Sequence, residues 1–178
     1  MSNIILIGYM GCGKSTIGIR LSYLFRKTFC DTDKMIEREQ DRSISDIFEK
    51  DGEGFFRDLE TMALKKLQLE KGDFIIAVGG GLPLREENRQ LLKEIGTIIY
   101  LRVRPETVLE RLEHDTTRPL LVGLNQQEKI TEMIRVRAPK YEACADFIVD
   151  VDGKSFDEIT EEIQMLMDGM MNEVKGEF

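Results

Sequence analysis

The sequence predicts an α/β protein built on a parallel sheet, and three observations carry that expectation. Short β-branched runs alternate with stretches of helical periodicity, which is the pattern of βαβ units. The first such run, "NIILIG", passes directly into "GYMGCGKST" and then into a helical pattern, giving a strand, a glycine-containing loop and a helix in that order. The 178 residues, 42% hydrophobic and 33% charged, suffice for one well-buried unit, and no repeat, low-complexity block or Pro/Gly/Ser-rich linker marks a second. One domain over residues 1–178 is therefore expected.

Taken in order, "NIILIG" (3–8) is the first strand, and "KSTIGIRLSYLFRK" after it carries Ile17, Leu21, Leu24 and Phe25 at helical spacing. "TFCD" (28–31) is the second strand, followed by the helical-looking "KMIEREQ" and "SISDIFEK". "FFRDLETMALKKLQLEK" places Phe56, Leu59, Ala63 and Leu67 on one stripe. "DFIIAV" (73–78), "TIIYLRV" (97–103) and "DFIVDV" (146–151) complete a set of five strands. Between the last two, "EHDTTRPLLVGLNQQ" (113–127) has weak periodicity and a proline, and reads as a long connection able to move over a site. In the tail, Ser155 and Glu158 have the spacing of a capping box. Met165, Met167, Met170 and Met171 are expected to pack on the sheet as gap fillers rather than to form a partner-binding face.

Composition narrows the function. A net charge of -8 argues against a broad nucleic-acid footprint, which needs a basic face, so an anionic ligand here requires locally placed arginines. No stretch approaches the roughly 18 apolar residues of a membrane span, and the opening "MSNIILIGYM" lacks a basic n-region and a cleavage site. A cytoplasmic protein without membrane contact is expected. Cys12, Cys30 and Cys144 are odd in number and lack zinc spacing, which points to buried or idle thiols in a reducing compartment. His114 stands alone and receives no role.

Gly8, Gly13, Lys14 and Ser15 satisfy G-x-x-x-x-G-K-[ST] in the strand-loop-helix context that the motif requires. Glycines let the backbone curl until its N–H groups face phosphate oxygens, and the following helix aims its positive end at the same place. Lys14 adds a charge within reach of the β and γ phosphates, and Ser15 offers a hydroxyl oxygen to Mg²⁺. Gly11, Cys12, Gly13, Lys14, Ser15 and Thr16 are thus the expected nucleotide-binding set. No N-K-x-D stretch is present to read a guanine base, "DGEG" (51–54) does not follow a strand, and the length is short for motor-type ATPases. A small-molecule kinase remains.

Candidate acceptor residues follow along the chain. "DTD" puts Asp31 and Asp33 at the carboxyl end of the second strand, and alternation would send both to the same side. One could then hold Mg²⁺ while the other accepts a hydrogen bond from an acceptor hydroxyl, although Asp33 could equally be a helix cap. Arg57 shares a helix face with Glu60 at i+3, a geometry suited to a bidentate grip on a carboxylate. Gly79, Gly80 and Gly81 end the third strand, where a ligand touching backbone would favour them. Arg118 in "TTRPLL", and Arg135 and Arg137 in "RVRAPKY", are candidates to close over a transferring phosphoryl group.

In order and spacing, "GYMGCGKSTIG", "DTD", "SISDIF", "GE..FR.LE", "GGG", "RPLL" and "R.PKY" resemble the shikimate kinase family from about residue 3 to about 160. The resemblance implies a three-layer α/β/α P-loop fold with a five-stranded parallel sheet, a substrate-binding region around 33–60 and a mobile lid around 112–126. It implies transfer of the γ-phosphoryl group of ATP to shikimate, giving shikimate 3-phosphate in the route to aromatic amino acids. Lys14, Asp33 and Arg118 would be the catalytic residues, and Ser15 and, through water, Asp31 would hold Mg²⁺. Arg57 and Arg137 would clamp the substrate carboxylate, Asp33 and Gly79 to Gly81 would meet the ring and its hydroxyls, and Arg111 would stack on adenine beside the "DGKS" turn at 152–155. Cys12 stands where the family commonly has a small residue such as Ala, which suggests sensitivity to thiol reagents. The alternatives are a gluconate-type sugar-acid kinase and a non-catalytic nucleotide-binding regulator. A monomer is expected.

Overall fold

The structure, a computed structural model, describes residues 3–113 and 126–176. Five strands, β1 (Asn3–Ile7), β2 (Thr28–Asp31), β3 (Phe74–Ala77), β4 (Gly96–Arg102) and β5 (Phe147–Asp150), pair in parallel in the order β2-β3-β1-β4-β5. Parallel neighbours need crossovers, and helices supply them: α1 (Lys14–Phe25), α2 (Thr32–Gln40), α3 (Ile44–Leu69), α4 (Glu86–Ile95), α5 (Pro105–Glu113), α6 (Gln126–Cys144) and α7 (Phe156–Gly176). All five strands fall on the segments expected from sequence.

The apolar runs read as strands because both faces of this sheet are covered. Ile4, Leu6, Ile99 and Leu101 pack with Ile17 and Leu21 of α1 and Ile159 and Ile163 of α7. The alternate residues Ile5, Ile7, Ile98 and Tyr100 pack with Leu64 and Leu67 of α3, Leu92 of α4 and Tyr141 of α6. The result is three layers, helices on both sides of the sheet. A satellite cluster, Ile36, Ile47, Phe56, Leu59 and Ala63, joins α2 to α3. Among the described residues, no helix is long and apolar enough to cross a membrane.

Several local expectations are corrected. Leu24 is 43% exposed, because the buried arc of α1 runs through Ile17, Gly18 and Leu21 towards Phe25 and leaves Leu24 beyond its edge. Met165 is 72% exposed, whereas Met167 and Met170 do pack on the core with Ile159 and Ile163. β2 ends at Asp31, so Asp33 lies in the first turn of α2 and strand alternation does not relate the two carboxylates. "DGEG" lies within α3, which breaks at Gly52 (φ 83°, ψ 171°). The proposed lid (112–126) falls almost wholly outside the described residues, as do Arg118 and His114.

Chain connectivity positions the site. From β1 the chain crosses to β2 on one side, and from β3 it crosses to β4 on the other, so the carboxyl ends of the adjacent strands β1 and β3 form a topological switch point. The loops leaving these two strands touch: a Cβ on Gly80 would lie 3.4 Å from the Gly8 carbonyl oxygen and 3.7 Å from the Met10 nitrogen.

Candidate active site

One half of the crevice is the loop between β1 and α1. Gly8, Gly11 and Gly13 have φ of 146°, 77° and 100°, conformations that side chains rarely adopt. Gly13 is the N-cap of α1, no side chain caps this helix, and no acidic residue occupies its first turn. Its leading N–H groups and the positive end of its dipole are thus left to a ligand, and an anion is the complement. Lys14 folds over the loop, its Nζ donating to the carbonyls of Gly8 (2.8 Å) and Tyr9 (3.1 Å). Ser15 and Thr16 are exposed on the first turn.

Cys12 is buried, as the reading of the three cysteines expected, and only the suggested sensitivity to thiol reagents is corrected. Its side chain is fully buried, which shields the thiol from reagents, and its N–H already bonds the Tyr9 carbonyl at 3.3 Å. It shapes the loop from within. Burial pushes the thiols of Cys30 and Cys144 up to about 11, consistent with unreactive side chains.

Asp31 joins the loop to the second strand. Its Oδ2 accepts from Ser15 Oγ at 3.0 Å, while its Oδ1 accepts the N–H groups of Asp33 (3.0 Å) and Lys34 (3.3 Å). Asp31, not Asp33, is therefore the cap of α2. The Ser15 hydroxyl and Asp31 carboxylate are hard oxygen donors beside the phosphate loop. Among the described residues there is no cluster of three or more His, Cys, Asp or Glu side chains that could hold a metal. This donor set suits Mg²⁺, which leaves most of its coordination to water and nucleotide phosphates.

The other half is a cleft of about 280 Å³ lined by Met10, Asp33, Ile44, Phe48, Glu53, Phe56, Arg57, Glu60, Gly79, Gly80, Gly81 and Arg137. Arg57 donates from Nη1 to Glu60 Oε2 at 2.7 Å, and from Nε and Nη2 to Glu53 Oε1 at 3.2 and 3.0 Å. Arg137 approaches from α6, with its guanidinium carbon 5.6 Å from the centroid of the Tyr9 ring. Tyr141 donates to the Gly80 carbonyl at 2.6 Å and fixes the glycine loop against α6.

The glycine run has a reason that sequence did not supply. A Cβ on Gly79 would lie 2.6 Å from Asp33 Oδ1 and 2.9 Å from Glu60 Oε1. A Cβ on Gly81 would collide with Nη1, Cζ and Nη2 of Arg57, so the guanidinium occupies the space that a side chain here would need. The protein's own polar side chains demand the space.

Glu60 is buried, and its Oε1 has no hydrogen-bond partner among the described residues. Burial pushes its carboxyl up to about 7, against the lowering effect of the bond and charge of Arg57; the Asp33 charge raises it further and Arg85 lowers it.

Arg111 lies on the far side of the phosphate loop, donating from Nη1 to the Gly11 carbonyl at 3.0 Å and standing 5.5 Å from the centroid of the Phe156 ring. Phe156, the first residue of α7, follows the turn at 152–155. Sequence reading missed Phe156, and it missed Glu53 as a second partner of Arg57. The i−4 spacing of Glu53 was the available signal. Arg135 is tied to Glu132 at 2.7 Å and does not line the cleft.

A parallel α/β sheet with a bare helix N-terminus at its switch point, abutting a small cleft with two arginines and three acids, defines a P-loop phosphotransferase for a small acceptor. Comparison with known proteins narrows this class. The family model described as shikimate kinase matches residues 10–168. A shikimate kinase of Dictyoglomus turgidum is 42% identical over 165 residues, covering 91% of this chain and 95% of its own. The solved shikimate kinase from Acinetobacter baumannii, in complex with shikimate, superposes with a TM-score of 0.88 at 34% identity, covering 95% of this chain and 94% of that one. A gluconokinase from Sinorhizobium meliloti gives a TM-score of 0.60 at 15% identity over 97% of each chain, and shares the fold. The chain belongs to the shikimate kinase family, the ATP-dependent kinases of the shikimate pathway to aromatic amino acids.

Proposed function

We propose that this chain transfers the γ-phosphoryl group of ATP to a hydroxyl of shikimate, giving shikimate 3-phosphate and ADP, with the residues of the crevice in the following roles. The observation that carries the reading is the contact between the two loops, which sets a phosphate-binding helix end against a cleft holding Arg57, Arg137 and Asp33.

The loop residues Gly11 to Thr16 wrap the phosphates, and Lys14 exchanges its loop carbonyls for phosphate oxygens. Ser15 and Asp31 hold Mg²⁺, which when bound neutralises and orients those oxygens. Arg111, between the phosphate loop and Phe156, borders the nucleotide base. Arg57 and Arg137 grip the acceptor carboxylate, and Ile44, Phe48 and Phe56 cover the apolar parts of its ring. Asp33 accepts a hydrogen bond from the hydroxyl that attacks. The hydroxyl oxygen bonds to the γ-phosphorus as the bond to the bridging oxygen of ADP breaks, and the hydroxyl proton leaves through Asp33. Arg118 completes the charge neutralisation from the connection between α5 and α6. The whole chain acts as one catalytic domain, a cytoplasmic monomer.

Arg57→Lys tests the clamp. A lysine keeps the charge and loses the bidentate geometry, so the KM for shikimate should rise by roughly tenfold or more while kcat changes little. An unchanged KM would remove Arg57 from the acceptor site.

A further inference from the structure

We propose that acceptor binding is coupled to proton uptake at Glu60, which makes this buried glutamate a positioning residue that ties acceptor affinity to pH. The inference rests on the reading that the acceptor carboxylate meets Arg57.

The geometry begins with a shared cation. Before any acceptor arrives, the Arg57 guanidinium already serves Glu60 through Nη1 and Glu53 through Nε and Nη2. Asp33, from α2, brings a third carboxylate, whose Oδ1 lies with Glu60 Oε1 within 3 Å of one point, the Cβ position of Gly79. Arg85, paired with Asp58 at 2.6 Å, acts on Glu60 through its charge, and Arg137 on α6 lines the cleft. The cleft lining thus holds three acids and two arginines. A bound monocarboxylate would set four negative charges against two positive ones.

Glu60 is the group able to relieve that excess. Glu53 is 66% exposed and remains hydrated, whereas the Glu60 side chain is 0% exposed. An ionised carboxylate with one oxygen unpartnered is costly to bury, and a nearby added anion increases the cost. Adding one proton from solvent to Glu60 Oε1 cancels one charge and converts the unpartnered acceptor into a donor. Oε2 continues to accept from Arg57, so the guanidinium stays in place. The carboxyl, already raised to about 7 by burial, is poised for this change near neutral pH.

Calorimetric titration of shikimate into the full-length protein at pH 7.5, without nucleotide, in HEPES and in Tris, reads the exchange directly, because the buffers differ in ionisation enthalpy. If the bound-state pKa rises by about one unit, uptake is about half a proton per shikimate, and the Kd weakens about sixfold between pH 6.5 and 8.5. Glu60→Gln should bind shikimate with an enthalpy independent of buffer. In the wild-type protein, NMR of the Glu60 side-chain carboxyl carbon should show its titration moving to higher pH with shikimate bound, a readout that needs no variant. Binding without proton uptake, proton release, uptake that persists in Glu60→Gln, or a carbon titration that does not move would each overturn the inference alone. Absence of shikimate binding would overturn the acceptor-site reading and the inference with it.

Discussion

Arg57 and Glu60 show how few atoms set the character of the cleft. The Arg57 guanidinium leaves no room for a Cβ at Gly81, although Gly81 itself has φ −86° and ψ −15°, which any residue adopts. Gly81→Ala should therefore fold normally and displace the guanidinium, raising the KM for shikimate by about tenfold or more while the melting temperature stays near that of wild type. Steady-state kinetics with a thermal melt separates the two effects. Glu60 carries a stability consequence as well. Its carboxyl is raised from 4.5 to about 7 in the folded protein, so the fold binds this proton more tightly than the unfolded chain does. The associated stabilisation is fully present below about pH 4.5 and is lost as pH rises through about 7, a change on the order of 3 kcal/mol. Unfolding free energies at pH 5 and pH 8 should fall with pH in the wild type by more than in Glu60→Gln, and equal slopes would contradict the raised value. Sequence identified the Arg57–Glu60 pair through its i+3 spacing. The missing partner of Oε1 was not legible, because it depends on how α2, α3 and the glycine loop converge.

At the scale of elements, the helix beginnings divide by purpose. Asp31 caps α2, Ser43 caps α3, and in α7 Ser155 and Glu158 bond each other's backbone at 3.2 and 2.7 Å, the reciprocal box that their spacing predicted. α1 alone among these four lacks a side-chain cap, and its N-terminus faces the crevice. Ser155→Ala should cost about 1 kcal/mol in chemical denaturation. A cost near zero would mean that Glu158 alone holds the first turn of α7. Strands were readable because runs such as "IILI" are buried on both faces, which a parallel sheet between two helical layers requires. The positions misread were those where one element hands over to the next. Alternation fails for Asp33 because the strand yields to a helix at Asp31, and Asp33 reaches the glycine loop from the first turn of α2 instead. Glu53 escaped notice because "DGEG" falls between the two helical stretches read from sequence, whereas the helix resumes after Gly52 and brings residue 53 one turn before Arg57.

For the whole molecule, the order β2-β3-β1-β4-β5 dictates where chemistry can occur. Connections leaving β1 and β3 in opposite directions open a crevice at the carboxyl ends, and the phosphate loop and glycine loop are the two segments that border it. A gluconokinase shares this architecture at 15% identity, so the fold by itself does not choose the acceptor. The choice lies in the cleft, where two arginines, the half-buried Asp33 and the buried Glu60 suit an anionic, hydroxylated ring. The most direct measurement is ADP release by the purified protein with MgATP, run in parallel with shikimate, gluconate and no acceptor, for the wild type and Asp33→Asn. Release that depends on shikimate and is abolished in Asp33→Asn is the predicted result. Equal release with gluconate, or no acceptor-dependent release while ATP still binds, would contradict the account.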